Sequence, residues 1–117
     1  MNITKILIGF VFAFVLIFTP KAYADDFKVP LPGKTQADAR LQFDTLKNVY
    51  VSVGVLERDC NNFSVINTEL VQELQEGSWK EEWTVNACGT NVYVPITFIA
   101  SKAGGTTFLI NLRAIHK

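Results

Sequence analysis

Nucleophilic catalysis needs a nucleophile, a base within reach and a group that orients the base. This chain supplies such residues sparsely. Its single histidine, His116, stands one residue from the C-terminus, where side chains are usually solvated and poorly held. Glu81 and Glu82 are neighbours in an alternating stretch, so they point to opposite faces of a strand and cannot chelate a metal together. Glu81 falls on the apolar side, near its margin, where a partner such as a lysine would be needed. Gly104-Gly105 is explained by hairpin geometry rather than by phosphate binding. Asn62-Phe63-Ser64 matches a glycosylation sequon, a common triplet. The chemistry expected is therefore non-enzymatic, with no catalytic residue, no metal and no cofactor.

Cys60 and Cys88 are the only cysteines. An even count in an exported chain argues for a disulfide. A redox role would bring a C-x-x-C spacing or a basic neighbour that favours the thiolate, and neither is present. Pairing the first two strands directly would not set Cys60 against Cys88, so the loop before Phe63 is expected to fold back and tie the helix exit to the end of the second strand.

Binding has more to draw on. Asn86, Tyr93 and Arg113 are expected to line up across three strands on the face turned away from the core, with Glu82, Thr97 and Leu109 beside them. Tyr93 next to Arg113 would form a cation–π pair and a hot spot; the alternative is an ordinary solvated sheet face. Ile99 and Leu109 add a modest apolar patch. A second candidate is a small-ligand pocket between helix and sheet lined by Tyr50, Trp79 and Trp83.

Three strands must position these residues. In the stretch 79–87 the odd residues are apolar apart from Glu81, and the even ones are polar. Val92, Val94, Ile96, Phe98 and Ala100 share one side of the next stretch, and Phe108, Ile110, Leu112 and Ala114 share one side of the last. Period two marks strands with one buried face. The turn Cys88-Gly89-Thr90-Asn91, with Gly at the first central position, suits type II′ and would pair Ala87 with Val92, Val85 with Val94 and Trp83 with Ile96. Closing Ser101 on Gly105, with Gly104 left-handed, pairs Phe98 with Phe108, Ile96 with Ile110 and Val94 with Leu112. Both turns then put the apolar sides on one surface, and a one-residue slip would invert a strand. Pro95 cannot donate to a ladder, so a bulge or bend is expected there.

Upstream, Thr35 is the expected N-cap, with Asp38 in the first turn. Ala39, Gln42, Phe43, Leu46, Val49, Tyr50 and Val53 recur at helical spacing. A helix is expected over 36–48 and on to 56; alternating valines leave a strand over 49–56 as the alternative. Residues 63–74 read as a first strand with imperfect alternation, turned by Glu76-Gly77-Ser78. The expected core comprises Phe43, Leu46, Tyr50, Trp83, Val85, Val94, Ile96, Phe98, Phe108, Ile110 and Leu112. The fold class is α+β, one N-terminal helix packed on a four-stranded antiparallel meander, cystatin-like or NTF2-like in outline; that analogy carries no function.

The first 24 residues have a short basic start, an apolar run over 6–18 and Ala22-Tyr23-Ala24, the pattern of a signal peptide cleaved after Ala24. Thirteen apolar residues are short for a membrane span; a retained anchor is the alternative. Residues 25–34, with Pro30, Pro32 and Gly33, form an extended lead-in, and 35–117 a single domain. Without Lys5 and Lys21, nine basic side chains face eleven acidic ones, scattered rather than clustered, which argues against nucleic acid. Trp83-x-Val85-x-x-Cys88-Gly89 followed by Gly104-Gly105-Thr106-x-Phe108 resembles a pattern of small exported bacterial proteins, over the last third of the chain. The resemblance implies no activity. The function expected is a periplasmic or secreted module that binds a protein or peptide partner by its outer face or by the edge strand over 106–115, with no stable membrane insertion after cleavage.

Overall fold

Helix α1 (Ala39–Leu56) in the computed structural model starts where Asp38 accepts the Leu41 N–H at 2.9 Å. The model describes residues 28–117, and the leader over 1–24 lies outside the described residues. Asp38, not Thr35, is the N-cap. The Thr35 hydroxyl takes the Ala37 N–H (3.1 Å) and the Thr35 N–H is given to Thr68 Oγ1 (3.0 Å), which pins the lead-in to the sheet before the helix can begin. The helix runs through Gly54 to Leu56, so 49–56 is helix. Its alternating valines split by helical period: Val49 and Val53 are buried with Leu46, while Val51 and Val55 face solvent. The buried face is Gln42, Thr45, Leu46, Val49, Ser52 and Val53. It is rotated from the expected stripe, which leaves Phe43 on the rim beneath Lys47 Nζ, 5.0 Å from its ring, and Tyr50 only partly buried.

Strands β1 (Phe63–Gln75), β2 (Ser78–Ala87), β3 (Thr90–Ala100) and β4 (Thr106–Ile110) form one sheet in the order β1-β2-β3-β4, all antiparallel. β1 carries three register shifts against β2, each placing an extra residue in β1. These explain its broken alternation: Val65 is buried before the first shift and Thr68 after it.

The β2–β3 turn is centred on Cys88 and Gly89, both with positive φ (50° and 89°). That is type I′, not II′. The pairs are therefore Ala87 with Thr90, Val85 with Val92, Trp83 with Val94 and Glu81 with Ile96, two residues from those expected. A slip of two preserves the faces, so the apolar layer survives the error. The second hairpin closes as expected: Ser101 N–H donates to Gly105 O at 2.9 Å, and Phe98 faces Phe108 and Ile96 faces Ile110.

Val94 does not meet Leu112, because β4 stops at Ile110. Ladder bonds alternate sides along a strand. Ala100 N–H goes to Gly77 O while Ser101 and Tyr93 bond the C-terminal side, so the missing N–H of Pro95 belongs to the side facing β4. The chain departs there into a 3-10 turn, Leu112–Ala114, and rejoins when Tyr93 and His116 exchange both backbone bonds (2.7 and 3.1 Å). The irregularity expected at Pro95 thus falls on its neighbour, and Leu112 is left half exposed (50%). Leu46, Trp83, Val85, Val94, Ile96 and Phe98 are buried as expected, together with Val49, Val53, Val92 and Trp79; Phe108 and Ile110 are partly buried.

Candidate functional site

On the outer face the even residues of β2 meet the odd residues of β3 and β4. The six residues expected to share that face divide into two groups. Glu82, Thr97 and Leu109 line one open pocket of about 570 Å³, with Val71, Lys80 and Pro95. Thr97 and Leu109 are direct cross-strand partners, while Glu82 pairs with Pro95 on one side and Glu69 on the other. Val71, at a register shift of β1, and Leu109 are 63% and 59% exposed, so the pocket presents exposed apolar side chains beside polar ones.

Asn86, Tyr93 and Arg113 do not line it. The two-residue change of register puts Asn86 opposite Asn91, with Nδ2 donating to Asn91 Oδ1 at 3.1 Å, and Tyr93 opposite Thr84. Arg113 lies in the 3-10 turn, where its N–H caps onto Asn111 Oδ1. Tyr93 stacks instead on His116, with ring centroids 5.2 Å apart and planes at 25°. His116 Nε2 lies 4.0 Å from Glu82 Oε2. His116 is solvated at its ring yet held by its backbone, and Lys117 Nζ reaches Glu57 Oε1 at 2.7 Å.

The inner face holds what the sequence reading placed wrongly. Glu81 is not marginal: it is 1% exposed. Its Oε2 accepts Trp79 Nε1–H (2.7 Å) and Gln36 N–H (3.0 Å), and its Oε1 accepts Trp83 Nε1–H (2.8 Å). No ion pair involves it among the described residues. Two indoles and a main-chain amide replace the lysine expected, because Trp79 and Trp83 flank Glu81 at two residues on each side and share its face. That spacing was the available signal. Trp79 stacks on Phe98 (4.9 Å, 15°) and Trp83 lies 6.3 Å from the same ring, so both tryptophans pack in the core. Tyr50 lines a separate open pocket of about 360 Å³ with Lys28, Pro32 and Phe63, to which neither tryptophan contributes.

Cys60 and Cys88 form a disulfide with Cα atoms 5.9 Å apart. The register shifts bring Phe63 opposite Ala87, and Cys88 N–H then donates to Asn62 O at 3.4 Å. By that register Cys60 stands two residues out of line with Cys88, so the loop, turned where Cys60 N–H donates to Glu57 O (3.1 Å), brings it back, and the disulfide ties the exit of α1 to the end of β2 as expected. Among the described residues no group of three or more His, Cys, Asp or Glu side chains could hold a metal ion, and no helix is long and apolar enough to cross a membrane. No family model, curated protein or solved structure matches the chain.

Proposed function

We propose that this chain is an exported, non-enzymatic module that binds a protein or peptide partner on the outer face of its sheet. The observation that carries the reading is the open outer pocket, which exposes Val71 and Leu109 around Glu82 and Thr97. Exposed apolar groups rimmed by polar ones are the usual make-up of an interaction site. Export is supported by the disulfide, which persists in oxidising compartments, and by the leader-like composition of residues 1–24. Either the periplasm or the exterior suits both features.

Tagged protein purified from its native source, with co-purifying polypeptides quantified, tests the reading. Leu109→Glu is expected to lower capture of a specific polypeptide about ten-fold or more, as for a truncated hot spot. Val51→Glu, on the solvent face of α1, should leave capture unchanged. Equal capture by both variants would sink the reading.

A further inference from the structure

The two edges of the sheet differ. β1 is strapped at Thr68: Lys34 N–H donates to Thr68 O (2.9 Å), Thr68 Oγ1 donates to Pro32 O (2.7 Å) and Thr35 N–H donates to Thr68 Oγ1 (3.0 Å). Three register shifts and the charges of Glu69 and Glu73 further blunt it. Straps, bulges and charges are how sheets protect an edge. β4 has none of these; Thr106-Thr107-Phe108-Leu109-Ile110 is free of charge and proline, and its register with β3 is unbroken. Because Ser101 bonds Gly105, the odd residues of β4 make the ladder with β3, and the N–H and C=O groups of Thr106, Phe108 and Ile110 point outward. No hydrogen bond outside the ladder reaches those groups among the described residues. An open pocket of about 380 Å³ beside Thr106, bounded by Asp38, Arg40, Leu41 and Asp44, leaves room for the side chains of an added strand.

We propose that β4 pairs antiparallel with β4 of a second copy of this chain, about a twofold axis at Phe108. Thr106 then faces Ile110 of the partner subunit, and Thr107 faces Leu109 of the partner subunit. Pairs of equal parity keep Phe108 and Ile110 on the inner, apolar layer of both copies. Strands without charge meet without repulsion. The Asp38 carboxylate beside Thr106, which caps α1 in the company of Arg40 and of the Asp44–Lys47 ion pair (3.9 Å), lies toward the end of the partner's β4, from which Arg113 of the partner subunit follows, and the symmetry repeats this arrangement. The second copy also reaches the outer pocket, since Thr107 of the partner subunit lies opposite Leu109, one of its walls.

The test is sedimentation of the chain from residue 25 onward over a wide range of concentration, with amide exchange read at each. A concentration-dependent dimer is expected, with the Thr106, Phe108 and Ile110 amides slowing as it forms. Thr106→Pro removes an outward N–H without touching the ladder to β3, and should weaken dimerisation about ten-fold or more. Thr107→Lys, at an exposed site outside the pocket lining, should do the same with the fold intact. Ile66→Lys on β1 should leave the dimer unchanged. A chain that stays monomeric with fast-exchanging β4 amides overturns the proposal, as does a dimer that survives both β4 variants or dissolves with Ile66→Lys. Protection of those amides only on adding a different polypeptide would overturn it in favour of a foreign strand.

Discussion

Glu81 shows how far one side chain can be misplaced by composition alone. A carboxylate in an apolar layer calls for compensation, and the obvious compensation is a cation; this sheet uses three N–H donors instead. Removing the carboxylate strands two buried indole N–H groups and the Gln36 amide. Glu81→Ala is therefore expected to cost about 3 kcal/mol or more, since each buried unsatisfied donor costs roughly 1–3 kcal/mol. Glu81→Gln keeps the volume but turns an amide NH2 toward an indole donor, and should cost about 1–3 kcal/mol by the same argument. Urea unfolding followed by tryptophan fluorescence measures both, and a loss below about 1 kcal/mol for the alanine variant would contradict this account. Thr45 is the opposite case. It is fully buried on α1 and its hydroxyl has no partner among the described residues, so Thr45→Val should be neutral or stabilise by about 1 kcal/mol in the same assay.

At the scale of elements, the lead-in acts as a strap across β1, and Gly33 is where it presses closest. A Cβ built there would run into the backbone N and O of Thr68, and φ is +97°. Gly33→Ala should destabilise by about 1–3 kcal/mol and speed proteolysis over 28–38; an unchanged cleavage rate would show that the strap does not depend on that contact. The strands were readable because a period of two survives a register error of two residues. The turn type was not readable, since Gly89 suits the first central position of type II′ as well as the second of type I′. The expected binding face was only partly kept: Thr97 and Leu109 belong to the hairpin whose register was read correctly, Asn86 and Tyr93 straddle the one that slipped, and Arg113 left the face where β4 ends.

For the molecule as a whole, one small core and one covalent tie hold α1 to the sheet. Cys60–Cys88 closes a sequence separation of 28 residues, worth roughly 3–4 kcal/mol in the chain-entropy model. Replacing both cysteines with alanine should lower unfolding stability by that amount, and reductant should then have no further effect on the variant. If reductant lowers the stability of the unsubstituted chain by much less, the disulfide is a minor tie. Leu109→Glu, by contrast, sits on an exposed position and should change stability by no more than about 0.5 kcal/mol, which lets a loss of binding be read as a loss of contact.

Local patterning by itself determined the helix, the four strands, which side of β2, β3 and β4 is apolar and the pairing of the two cysteines, because each depends on periodicities of two or 3.6 residues and on a count of thiols. Tertiary structure decided what local patterning leaves degenerate. The β2–β3 register depended on whether the β2–β3 turn began at Cys88 or Gly89. The phase of β1 depended on extra residues opposite β2. The end of β4 depended on a proline in the neighbouring strand, and the partner of Glu81 on which donors a twisted sheet and a strap bring to one buried point. Each of these is a relation between segments distant in sequence, and no window of sequence contains both halves of it.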